Sequence, residues 1–119
     1  MKSMAEITTI VTNLKGTIIT AGPDPDFEPD GWGMMFTLGP LLVGLSSGGL
    51  GWDHVSVSRK DRVPRYEEMV KIKRICFKPN EWAMELHAPP SKHISCHPYC
   101  LHLWRPLNAD IPTPPEIMV

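Results

Sequence analysis

Thirteen prolines in a chain of 119 residues set the tightest limit on its fold. Each one removes a backbone donor and steers the residue before it away from the helical region. At about 11% of the chain, roughly twice ordinary usage, they argue against a mainly helical bundle and for short elements separated by turns. The rest of the composition is that of a folded domain: 42% of residues are apolar and the formal net charge is −1, a combination able to bury enough surface to fold. The length suits a single domain over residues 1–119.

No uninterrupted apolar run reaches the length of a membrane span, so no membrane partner is expected. The opening Met1-Lys2-Ser3-Met4-Ala5-Glu6 lacks the basic and apolar regions of a secretory signal. Cys76, Cys96 and Cys100 make an odd set, which predicts free thiols in a reducing cytoplasm.

The β-branched runs 7–12 and 17–20 predict two strands around a turn at Asn13–Gly16. Residues 21–31 hold three prolines and alternating Asp24, Asp26, Glu28 and Asp30, and read as an acidic surface loop. Apolar runs at 34–38 and 41–45 flank Gly39-Pro40, a hairpin whose proline suits a type I or II turn poorly matched to strand twist. Ser46 to Gly51 reads as a flexible connector. Strict alternation over 52–58 predicts a strand with Val55 and Val57 on one face and His54, Ser56 and Ser58 on the other.

Pro64 precedes a helix over about 65–77, with Glu67 and Glu68 in its first turn and cations in its last. Its apolar stripe, from Tyr66 and Met69 to Ile75 and Phe77, is expected to pack on the sheet. A further strand over 82–87 places Trp82, Met84 and Leu86 toward the core and Glu85 and His87 opposite. Residues 100–104 form another extended run, and the proline-rich tail beyond Pro106 is irregular. These elements predict an α+β fold: a mainly antiparallel sheet of about five to seven short strands, one principal helix on one face, and a proline-rich C-terminal tail.

Charge is segregated along the chain. Residues 59–78 carry Arg59, Lys60, Arg62, Arg65, Lys71, Lys73, Arg74 and Lys78 against Asp61, Glu67 and Glu68. Such a run is commonly a solvated helix face, and it is also the footprint that attracts phosphates or an acidic partner. Trp104-Arg105 offers an aromatic–cation platform for a base or a peptide.

Histidines recur on the alternating segments: His54 beside Ser56, His87 beside Glu85, and His102 near His97. Neighbouring strands would bring imidazoles within reach of one another. One chemistry for them is phosphoester hydrolysis using His54, Ser56, Glu85, His87 and His102 as acid, base and positioning groups. The other is a zinc or other divalent-metal site from His97, Cys100 and His102, with Cys96 or Glu85 as further ligands. His54-Val55-Ser56-Val57 resembles the half-motif of two-histidine phosphoesterases, while His102-Leu103-Trp104 puts tryptophan where the second copy needs a hydroxyl.

Four stretches carry a wider resemblance: Gly51-Trp52-Asp53-His54-Val55-Ser56-Val57-Ser58; Val63-Pro64-Arg65-Tyr66-Glu67-Glu68-Met69; His97 to Pro106; and Ile111-Pro112 with Pro114-Pro115. Over about 51–119 the chain resembles a family of small bacteriophage and prophage proteins of unknown function. In that family a Cys-Pro-Thr-Trp-Glu-Glu-Met stretch opens the helix; Val63 and Arg65 stand here in place of its cysteine and threonine. The resemblance implies a phage origin and hence the cytoplasm of an infected bacterial host, and it supplies no activity or cofactor.

The expected function is a binding module without cofactor, docking on a host or phage protein complex, with counter-defence of the anti-CRISPR kind as one version. The alternatives are a small histidine-dependent hydrolase and a single-stranded nucleic-acid binder working through residues 59–78. A docking protein of this design is expected to tolerate His54→Ala with its fold intact.

Overall fold

A computed structural model describes residues 1–23, 31–48, 52–81, 84–87 and 99–106. Helix α1 (Met4–Asn13) opens the chain, followed by β1 (Thr17–Pro23), β2 (Trp32–Leu38), β3 (Leu41–Gly48) and β4 (Trp52–Arg59). Helix α2 (Tyr66–Cys76), β5 (Met84–His87) and β6 (Tyr99–Pro106) complete it. The six strands form one antiparallel sheet in the order β1-β2-β3-β4-β6-β5. The architecture is therefore α+β, within the range of strand numbers the sequence predicts.

The first element departs from expectation: residues 7–12 are helical. Ser3 and Glu6 form a reciprocal cap, the Glu6 N–H donating to Ser3 Oγ at 3.1 Å and the Ser3 N–H donating to Glu6 Oε1 at 3.2 Å. Thr8 and Thr9 turn their hydroxyls back onto the carbonyls of Met4 and Ala5, so these β-branched residues sit inside the helix with their polar groups satisfied. Ile7 and Val11, one turn apart, are fully buried against the sheet. The helix ends on Lys15 at φ 63°, and Gly16 follows in a space where an added Cβ would meet the Thr37 carbonyl oxygen and Val11 Cγ1 at 2.7 Å. Glycine is the residue that fits there.

The β2–β3 hairpin turns as its twist requires. Gly39 takes φ 58° at the first central position, and Pro40 supplies the negative φ that follows, the pattern of a II′ turn. Expecting a type I or II turn there was wrong because the glycine, not the proline, decides the geometry.

Helix α2 spans the predicted region. Arg65 replaces a capping side chain, yet its backbone N–H still donates to Glu68 Oε1 at 2.9 Å, so half of the capping arrangement survives. Met69, Ile72, Ile75 and Cys76 are buried with Phe36, Val43, Val55, Val57 and Leu103 in one cluster that also includes Ile7 and Val11. Both helices thus contribute to the core on one side of the sheet. The Lys2 N–H donates to the Cys76 carbonyl at 2.8 Å, tying the chain start to the end of α2.

At one end of the sheet this core closes on charge. Asp53 is fully buried and accepts from Ser47 Oγ at 2.6 Å and from the Met1 ammonium at 3.1 Å. Glu81 also accepts from that ammonium, at 2.6 Å, and Arg105 lies 3.5–3.6 Å from both carboxylates. Two cations against two carboxylates leave the enclosure neutral, the condition under which buried charge is tolerated.

Candidate functional site

The register of β4 against β6 pairs Ser56 with His102 and His54 with Trp104. His54 and His102 are therefore diagonal neighbours on one face, close enough for side chains to touch. His54 Nε2 lies 2.7 Å from His102 Nδ1, with ring centroids 5.0 Å apart and planes inclined by 18°. A single N–H···N bond joins two neutral imidazoles; protonating both would set two N–H groups against each other. On its other nitrogen His102 meets Cys100 Sγ at 3.6 Å, so thiol, imidazole and imidazole run in series along the strands.

That series has the connectivity of a nucleophile, a base and an orienting group, but not their ionisation. Burial, reinforced by the facing His102, lowers the His54 pKa to about 3. Burial likewise raises the Cys100 thiol to about 11 and Cys76 to about 12. At neutral pH the imidazole is a poor base and the thiols stay protonated, whereas acid–base catalysis needs a pKa near the working pH. His102 is 3% exposed. The imidazole-bearing face is thus not open at this residue, whose partner across the strands is Ser56.

The remaining histidine-site candidates do not assemble there. The register of β5 pairs Leu86 with His102 and His87 with Leu101. Glu85 and His87 thus hold positions one step out of phase with His102, and Met84 and Leu86 hold the in-phase ones. The opposite assignment failed because four alternating residues cannot distinguish the two faces of an edge strand. The side chains of Glu85, His87 and Trp104 lie outside the described set, as do residues Trp82, Cys96 and His97. Among the described residues no group of three or more His, Cys, Asp or Glu side chains is arranged to hold a metal ion. Ser56 donates to the Gly44 carbonyl at 3.3 Å and Ser58 to that of Leu42 at 3.3 Å.

The basic run resolves into two populations. Arg59 is clamped by Asp61 at 2.7 Å and by Glu68 at 2.9 Å, and Arg62 reaches Glu68 at 2.6 Å. Burial opposes ionisation of Glu68, but hydrogen bonds from Arg62, the Arg65 N–H and Arg59 outweigh it and hold the pKa at about 2. These arginines fasten β4 to the start of α2. Arg105, predicted to bind a partner, is the third consumed cation, paired with Asp53 and Glu81.

Lys60, Arg65, Lys71, Arg74 and Lys78 are exposed and Lys73 is half-buried. Lys71 and Arg74 border an open groove of about 610 Å³ between α1 and α2, with Lys2 completing its basic rim. Its apolar walls include Ile10, Leu14, Tyr66, Val70 and Ile75. Tyr66 is 72% and Leu14 45% exposed, unusual for large apolar side chains. The strand reading of residues 7–12 hid this groove, because one of its walls is formed by Ile10 of α1 and the capping residue Leu14. The signal available was Ser3-x-x-Glu6 followed by Ile7, Ile10, Val11 and Leu14 at helical spacing.

No helix among the described residues is long and apolar enough to cross a membrane. No curated protein and no solved structure matches the chain. A family model described as a domain of unknown function (DUF7694) matches residues 45–108. That stretch begins before Gly51 and stops short of Ile111, and it contains β4, α2, β5, β6 and the histidine pair. The chain therefore belongs to the family defined by this domain of unknown function.

Proposed function

We propose that this protein is a binding module that acts by docking on another macromolecule through the face formed by α1 and α2. The observation that carries the reading is the groove with its exposed Tyr66 and Leu14 beside Lys71 and Arg74, which make no ion pair among the described residues; Tyr and Arg are among the residues enriched at binding hot spots. The state of the histidine–thiol series supports it from the other side: desolvation keeps the His54 imidazole and the Cys100 thiol uncharged at physiological pH. The resemblance of residues 51–58 and 97–106 to phage and prophage proteins extends the reading to a phage accessory protein. It would work in the cytoplasm of the infected host, with inhibition of a host defence complex as one form of that role.

The discriminating experiment uses the purified protein, Tyr66→Asp and His54→Asn. Docking predicts that Tyr66→Asp abolishes capture of the partner by the full-length protein while leaving its thermal melt unchanged. It also predicts no hydrolysis of a generic phosphodiester above background, with or without added zinc or manganese. Hydrolysis that disappears in His54→Asn would overturn it.

That outcome would establish the second reading, a histidine-dependent hydrolase, which the 2.7 Å His54–His102 contact favours. Binding to single-stranded nucleic acid through residues 59–78 is the weaker alternative, since Arg59 and Arg62 are already paired with carboxylates.

A further inference from the structure

Resting on the docking reading, we infer that the occupant of the α1–α2 groove is an acidic, amphipathic segment of a partner protein. Three features of the groove select it. The first is charge: among the described residues that line it, Lys2, Lys71 and Arg74 face a single carboxylate, Glu67. Lys71 and Arg74 stand three residues apart, which places them on the same side of α2. Neither makes an ion pair among the described residues. Lys2 is held in place by its own bond, Nζ donating to the Arg74 carbonyl at 2.6 Å, so the basic edge is continuous from the chain start to the last turn of α2.

The second feature is the floor. Ile10, Leu14, Val70 and Ile75 are aliphatic, and Tyr66 is the one aromatic ring lining the groove among the described residues. Aliphatic walls accept Leu, Ile or Phe side chains, whereas a nucleic-acid groove needs aromatic rings on which successive bases stack. The third is openness. With Tyr66 72% and Leu14 45% exposed, the groove cannot enclose most of a small molecule's surface, as small-ligand pockets do. A partner helix or extended segment brings its own surface to finish the burial, seating apolar side chains in the groove and its carboxylates on the basic edge.

The test is a titration of the isotope-labelled protein, followed by amide NMR shifts. The probe is a synthetic amphipathic peptide with Leu and Phe at helical spacing and Glu at the remaining positions. Its control is the same peptide with Lys in place of Glu. The acidic peptide is expected to move the amides of Ile10, Leu14, Tyr66 and Val70. Its affinity should weaken about tenfold in Lys71→Glu with Arg74→Glu, and by a similar factor in Tyr66→Ala. Higher salt should weaken it as well. Circular dichroism melts of these exposed-site variants confirm that the fold persists.

Equal or tighter binding of the Lys peptide at the same amides overturns the acidic assignment while leaving docking intact. So does a mixed single-stranded oligonucleotide that moves those amides at lower concentration. Concentration-dependent self-association lost in Tyr66→Asp makes the occupant a second copy of the chain and overturns it too. If neither peptide moves the groove, the inference fails. If partner capture then also survives Tyr66→Asp, the docking reading falls with it.

Discussion

His54 carries the clearest consequence of burial for a single side chain. Its pKa falls from an ordinary 6.5 to about 3, so between those values the unfolded chain binds a proton that the native protein refuses. Stability contributed by the neutral imidazole is complete above pH 6.5 and is lost as pH falls below it, by up to about 1.4 kcal/mol per pH unit. Over the interval from pH 6.5 to 4.5, comparison with His54→Asn separates this effect from the chain's other four histidines. Glu68, with its pKa held at about 2, and Glu81 and Asp61, also lowered, contribute stability that is kept above about 4.5 and surrendered only in stronger acid. Urea midpoints measured at pH 6.5, 5.5 and 4.5 should fall steadily in the wild type, and the slope should flatten in His54→Asn. His54→Ala should cost about 1–3 kcal/mol at neutral pH, through a cavity and the loss of the 2.7 Å contact with His102. The sequence-based expectation that this substitution leaves the fold largely intact is met if the loss stays within that range, and the same urea midpoints check it. Alternation placed His54 and His102 on one face correctly, because side-chain period follows from the strand itself. That His102 is buried on this face is a tertiary outcome, and no local pattern encodes it.

Among the elements, α1 and α2 differ in how plainly the chain announces them. For α2 several signals agree: Pro64 before the first turn, carboxylates at its start, cations at its end and an apolar stripe between. For α1 they conflict. Thr8, Thr9, Ile10, Val11 and Thr12 favour a strand by propensity, and only the Ser3–Glu6 cap and the spacing of Ile7 and Val11 favour a helix. The cap and the burial of Ile7 and Val11 prevail, since packing outweighs intrinsic preference. A cap that decides between two structures should be sensitive to loss. Ser3→Ala is expected to lower global stability by about 1 kcal/mol, read as a shift of the denaturation midpoint with unchanged cooperativity. It should also increase amide exchange in α1 more than in α2. A Ser3→Ala protein with wild-type stability and exchange would place the helix's support elsewhere. Strand β5 was legible as extended but not in phase, because its four residues alternate equally well in either register.

Taken as one object, the molecule divides its labour between two surfaces. One side of the sheet is filled by helices whose outer surfaces leave Tyr66, Leu14 and a basic edge in solvent. The other carries the paired histidines and the thiol, with His102 and Cys100 buried and with His54 and Cys100 held uncharged. On the docking reading, such a protein meets its partner with its helices. The direct measurement places a photo-crosslinking amino acid at position 66 on α2 or at position 19 on the exposed edge strand β1, in bacterial cells making the protein. The account predicts a discrete adduct from position 66 that disappears when Lys71 and Arg74 are changed to Glu, and none from position 19. An adduct from position 19 with none from position 66 would contradict it.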